Sequence, residues 1–162
     1  MIRRIAAMFL LIFFTFSTIT FAFNEDVYYN DIKVGLENMM SNSINVELNG
    51  DYISGGVLYK KGTSFVISIL NGKVSFNNTL YDNISFTPVD NSSTMRLIVG
   101  IKRYNFKGQL DFVVKGDMIL PINTINIEEY LNGVVGYEMS NSYPLEALKA
   151  QAVAARNYAS LR

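Results

Sequence analysis

From Asn30 to about Thr124 the hydrophobic and polar positions of this chain read as strand and turn. Ile32, Val34 and Leu36 are separated by Lys33 and Gly35, as in a strand with one buried face. The runs SINVELNGDYISGGVLYK and SFVISILNGKVSF each set an Asn-Gly pair, Asn49-Gly50 and Asn71-Gly72, between β-prone stretches. Both residue types tolerate positive φ, so each pair predicts a hairpin. Further strands are expected at Met95 to Val99, Gln109 to Val114 and Met118 to Ile122, with Lys115-Gly116-Asp117 as a turn. Pro88 opens a polar stretch, PVDNSSTM, that reads as a loop or as the seam between two sheet regions.

The period changes at Asn126. Asn126 followed by Glu129 has the form of an N-cap with an acid at the third helical position. A short helix is expected through Tyr130 and Leu131 to Val134 or Val135, ended by Gly136, because glycine accepts the left-handed conformation beyond a helix end. Ser140-Asn-Ser142 is turn material, and Pro144 with Glu146 suits the first turn of a second helix. That helix, PLEALKAQAVAARNYASLR, is rich in alanine, the best helix former. Small residues on several faces predict that it is buried. It reaches Arg162 without glycine, proline or a polar tail, so the domain is expected to be incomplete at its C-terminus. The fold class is therefore α+β: a strand-rich region over 30–124, then a helical motif over 126–162.

The first 23 residues stand apart. Arg3 and Arg4 precede a stretch without charge, Ile5 to Phe23, and Thr20-Phe21-Ala22 offers small residues for cleavage after Ala22. The same stretch is just long enough to span a bilayer. Residues 1–23 are expected to be a signal peptide or a membrane anchor, and 24–162 to form the domain outside the membrane, its only link to the bilayer being that segment.

Charge and composition narrow the chemistry. The chain has 14 basic and 14 acidic residues, and loss of Arg3 and Arg4 would leave 12 against 14. That balance argues against nucleic acid as a partner, since phosphate binding needs a basic footprint. There is no cysteine and no histidine, which removes disulfides, Ser-His-Asp and Cys-His catalysis, and thiolate or imidazole metal sites. No metal and no cofactor is expected. Asp, Glu, Lys, Arg, Tyr, Ser and Thr remain as the catalytic vocabulary.

Among these, one acid stands out by its setting. Glu138 lies between Tyr137 and Met139, just before the alanine-rich helix. Lys149 and Arg156 are seven residues apart, about 20° short of two full turns, so they share a helix face with about 10.5 Å between them along the axis. Gln151 sits on an adjacent face. A chain folding back at 139–144 brings Glu138 beside this stripe. Glu128 and Glu129 read as helix-start residues rather than as chemistry. Tyr130 and Tyr158 are core or groove-wall aromatics.

The run INIEEYLNGVVGYEMSNSYPLEALKAQAVAARNYA resembles the signature of the SpoIID/LytB family, the stage II sporulation protein D and amidase-enhancer group. The resemblance is to the N-terminal part of the family pattern. It is dense over these residues and most specific at ALKAQAVAAR; IKVGL at 32–36 and the strands before Asn126 are similar more weakly. Gly136 stands where the family usually has proline, and Asn157 where it has threonine. The family's glutamate falls on Glu138, and its helical lysine and arginine fall on Lys149 and Arg156.

That resemblance implies a lytic transglycosylase acting on peptidoglycan between N-acetylmuramic acid and N-acetylglucosamine, in sporulation or wall remodelling. It also explains a lone carboxylate. Hydrolytic glycosidases use two carboxyl groups, whereas in the lytic reaction the sugar's own C6 hydroxyl is the nucleophile, so one Glu can act as acid and then as base. Glu138 must then carry a proton at the outset, which desolvation by Tyr137 and Met139 would favour. Lys149, Arg156 and Gln151 are assigned to substrate rather than to direct pairing with Glu138. The second reading is a non-catalytic amidase enhancer that binds wall glycan and modulates a cell-wall amidase. The expected partners are glycan strands and such an amidase.

Overall fold

The computed structural model describes residues 31–160; the expected leader over 1–23 lies outside the described residues. Among the described residues, twelve strands and two helices follow one another. The strands are β1 (Asp31–Gly35), β2 (Ser43–Leu48), β3 (Tyr52–Ser54), β4 (Val57–Tyr59), β5 (Ser64–Leu70), β6 (Lys73–Phe76), β7 (Thr79–Tyr81), β8 (Asn83–Pro88), β9 (Thr94–Val99), β10 (Lys102–Lys107), β11 (Gln109–Lys115) and β12 (Met118–Asn126). The helices are α1 (Ile127–Glu138) and α2 (Leu145–Ser160), and one 3-10 turn, Glu37–Met39, joins β1 to β2. The α+β class is as the sequence predicts.

The strands form two six-stranded sheets, ordered β1-β12-β11-β8-β3-β4 and β10-β9-β2-β5-β6-β7. The alternation in the sequence becomes an inside and an outside. Ile44, Val46 and Leu48 of β2 and Met95 and Leu97 of β9 point inward from one sheet; Ile84 and Phe86 of β8 and Leu110 and Phe112 of β11 point inward from the other. Every second residue is therefore buried, as a sheet with one wet face requires. Phe86 sits where the two layers meet, with ring centroids of Phe65, Phe76, Tyr59 and Phe112 at 5.0, 5.5, 5.8 and 6.0 Å.

Asn71-Gly72 is the predicted hairpin: both residues have positive φ, 53° and 70°, and Leu70 pairs with Lys73. Asn49-Gly50 is not one. β2 pairs with β5 and β9, whereas β3 pairs with β4 and β8, so the chain at Asn49-Gly50 crosses from one sheet to the other. The hairpin in that run is Gly55-Gly56, with φ of 55° and 78° between Ser54 and Val57. Gly50 is needed for closeness rather than for turning. A Cβ there would lie 2.2 Å from Ser93 Oγ and 2.6 Å from its Cα, because the β8–β9 connection passes alongside and is tied to it by Asn49 N–H to Thr94 O (2.8 Å) and Val89 N–H to Asp51 O (2.9 Å). Gly50→Ala is accordingly expected to destabilise the fold by about 1–3 kcal/mol, the usual range for overpacking, as read from urea unfolding. The same PVDNSSTM stretch is thus the seam between sheets that its polarity suggests.

This crossing point is pinned by two aspartates. Asp51 accepts from Lys60 Nζ (2.9 Å) and from the Lys61 N–H (2.8 Å), and its carboxyl is held below the usual value of 3.8, the Lys60 bond being the larger cause. Asp90 is lowered likewise, by hydrogen bonds from the Ser92 hydroxyl, the Ser92 N–H and the Ser93 hydroxyl. A carboxyl whose folded value is depressed adds stability above its unfolded value and loses it as pH falls through the folded one. The melting-temperature deficit of Asp51→Asn is therefore expected to be full at neutral pH and to vanish well below pH 3.8.

Candidate functional site

Both helices follow from β12. Asn126 caps α1, its Oδ1 accepting the Glu128 N–H at 2.9 Å, as the sequence predicts. The reciprocal half of a capping box is missing, because Glu129 instead meets Lys107 Nζ at 2.7 Å. Ile127 and Leu131 are buried and anchor the helix on the sheets. Gly136 does not end α1. The helix continues to Glu138 and is capped at Met139, whose N–H reaches Val135 O at 3.0 Å. A C-terminal glycine works through positive φ, and Gly136 has none, so here it is an interior helical residue tolerated at about 1 kcal/mol relative to alanine. The consequence is functional: Glu138 lies on the last turn of a helix, not in a loop.

The polar connection Ser140-Asn-Ser142 turns the chain back, with Tyr143 N–H on Ser140 O at 3.1 Å. Pro144 then precedes α2, its carbonyl accepting from Ala147 and Leu148. The expected burial of α2 does not occur; none of its described residues is buried. Alanine secures the helical state through low entropy cost, but covering a helix takes a facing surface. Among the described residues α1 is the element against which α2 packs most.

The four residues singled out from the sequence are not gathered as expected. Glu138 is exposed and accepts a hydrogen bond from Gln151 Nε2. Arg156 does not reach Glu138: its Nη2 lies 2.6 and 2.8 Å from the two carboxylate oxygens of Glu128. Lys149 is paired within its own helix, Nζ to Glu146 Oε1 at 2.8 Å. The shared face of the two cations is real in spacing but each cation is drawn to a nearer acid. The amide, on the neighbouring face, is the side chain that meets Glu138. Tyr137 is 93 % exposed, so it does not desolvate the carboxyl as expected.

Beside Glu138 opens a cleft of about 670 Å³ between α1 and the open edge of the two sheets. Val34 of β1, Leu36 just after it, Phe106 of β10 and Ile125 of β12 form its apolar wall; Tyr130, Val134, Tyr137 and Glu138 face them from α1. Its polar groups are the Lys107–Glu129 ion pair and the amides of Asn105, Asn123 and Asn132. Asn123 is buried, and its Nδ2 donates to Lys107 O (2.8 Å) and Gln109 O (3.0 Å), fixing the corner between β10 and β11. Gly108 makes that corner possible at φ 82°, where a Cβ would stand 2.3 Å from Thr124 O. An apolar wall with a few convergent polar groups is the usual make-up of a ligand cleft. Sequence reading missed β10 and its Lys107; the alternation in KRYNFK is masked by charge on both faces. Among the described residues no group of three or more Asp, Glu, His or Cys side chains could hold a metal ion, and no helix is long and apolar enough to cross a membrane.

Comparison with known proteins bears on this segment. An uncharacterized protein of Brachyspira hyodysenteriae is 52% identical over 60 residues, which cover 37% of this chain and 16% of that protein. No solved structure matches the chain. Residues 115–162 match the family model described as SpoIID, stage II sporulation protein. The match is to the C-terminal part of this chain; the weaker likeness at 32–36 lies outside it. It takes in the end of β11, β12, both helices and all four candidate residues. Over residues 115–162, with Glu138 inside them, the chain is similar to the SpoIID family.

Proposed function

We propose that this protein is a peptidoglycan lytic transglycosylase in which Glu138 is the single acid and base. The observation that carries the reading is the position of Glu138. It stands on a helix end at the mouth of an apolar cleft, with one oxygen held by Gln151, inside the family segment. In the reaction the Glu138 carboxyl gives its proton to the glycosidic oxygen as the C1–O bond breaks. The C6 hydroxyl oxygen of the same muramic acid bonds to C1, and its proton passes to the Glu138 carboxylate. No water is consumed, the acid is regenerated, and the product ends in a 1,6-anhydro ring. A second carboxyl group is not required. A sugar chain seated along the cleft displaces water from Glu138, the condition that favours a neutral carboxyl. Lys149 and Arg156 serve as substrate contacts in this reading only if glycan displaces their present partners. Wall glycan lies outside the membrane, which fits an export leader or anchor in residues 1–23.

The second reading is a glycan-binding amidase enhancer without chemistry of its own. Two observations favour it: Glu138 is exposed, and both cations are paired with other acids. The two readings separate on incubation of the full-length protein with purified glycan strands, with and without stem peptides. Fragments with anhydro ends, identified by mass, support the enzyme. Binding without such ends, with faster stem-peptide release by an added cell-wall amidase, supports the enhancer.

A further inference from the structure

The contacts between the two helices assign a role to Glu128 and Arg156 that rests on the reading of Glu138 as the reacting acid. The half-buried side of α2 carries four alanines, Ala147, Ala152, Ala155 and Ala159, and Leu148 is its one large apolar side chain. Alanine buries little apolar area, so packing alone leaves α2 loosely placed on α1. Two polar contacts fix it. Gln151 meets Glu138 at the C-terminal end of α1, and Arg156 meets Glu128 at its N-terminal end. The two acids are ten residues apart, about 15 Å of helix, whereas Gln151 and Arg156 span only about 7.5 Å; the long guanidinium arm makes up much of the difference. A single contact lets a helix pivot. Contacts at two separated points fix both its slide and its roll.

We propose that Glu128 and Arg156 are positioning residues. Their ion pair holds α2 in the register that keeps Gln151 Nε2 on one oxygen of Glu138, leaving the other oxygen for the proton. The pair acts through Gln151 and does not touch the sugar. Arg156, expected from the family resemblance to contact substrate, is instead the partner of an acid of the chain.

The test uses the full-length protein on glycan strands, with Glu128→Gln, Arg156→Gln and the double reversal Glu128→Arg/Arg156→Glu. Exposed ion pairs couple weakly, but small misplacement of an acid is costly, so each single change is expected to lower kcat about three- to tenfold with KM unchanged. The reversal should recover at least half of that loss. Hydrogen exchange across 145–160 should rise equally in the two single variants and fall back in the reversal. Neutral Glu128→Gln together with a raised KM in Arg156→Gln would overturn the proposal and make Arg156 a sugar contact. Unchanged exchange in both single variants would overturn it as well. If the unaltered protein forms no anhydro ends, the catalytic reading fails by itself, and hydrogen exchange still decides whether the pair holds Gln151 against Glu138.

Discussion

Glu138→Gln is expected to lower the formation of anhydro-ended fragments about a thousandfold while leaving glycan binding within about twofold, since removal of a general acid costs on the order of 10²–10⁴ in rate. Glutamine keeps the shape and a hydrogen-bonding oxygen for Gln151 but has no proton to give. The size of the effect follows from the chemistry: one group performs both proton transfers, so its loss is not shared with a second carboxylate. Product quantitation by mass and retention of the protein on insoluble glycan together check both halves. Equal loss of binding and product would point to a structural change, and no loss of product would move the chemistry away from Glu138. The neighbouring acids serve as controls of different kinds. Glu129 is engaged by Lys107 and Glu146 by Lys149, so Glu146→Gln should leave product formation nearly unchanged.

Phe86→Ala is expected to cost about 3–5 kcal/mol of unfolding free energy, the range for emptying a large aromatic from a packed core. Phe86 is fully buried and contacts rings from both sheets: Phe65 stacked on it, Phe76 and Phe112 edge-on. A domain of this size has roughly 5–15 kcal/mol in total, so this single change removes a large fraction. Urea unfolding followed by tyrosine fluorescence measures it. Phe86→Leu should lose much less, about 1.5 kcal/mol or below, because volume is mostly kept. A small loss for alanine would mean that the two sheets are not held by this aromatic cluster.

The sequence disclosed most of the strands through alternation and turn pairs and the helices through capping and alanine, because those signals are local. It placed β1, β2, β5, β6, β9, β11 and β12 and the Asn126 cap. Where it misled, two causes competed for one residue type. Asn-Gly at 49–50 carries the hairpin signal, yet Gly50 is there because Ser93 from a distant connection leaves no room for a Cβ. Gly136 carries the helix-stop signal, yet α1 runs on through it. β7 was hidden in the same way: Asn77-Asn78 turns the β6–β7 hairpin with φ of 47° and 59°, but it contains no glycine.

The site was half legible. Its acid and its amide were named from the sequence, and they do meet. The cations were placed by helical spacing, which fixes where a side chain starts but not which acid it finds. Glu128 was absorbed into the cap, a role it does have through its backbone N–H, and its carboxylate was therefore overlooked as the partner of Arg156. The cleft was out of reach altogether. It is bounded by β1, β10, β12 and α1, segments up to about a hundred residues apart in the chain, and no periodicity reports that they meet.

Digestion of glycan strands in water enriched in heavy oxygen tests the central claim most directly, because it asks where the new bond at C1 comes from. If Glu138 works alone and the muramic C6 hydroxyl is the nucleophile, the cut ends are anhydro rings that contain none of the heavy isotope. Cut ends carrying one heavy oxygen at C1 would show that water attacks, that a second group must activate it, and that the single-carboxylate account is wrong.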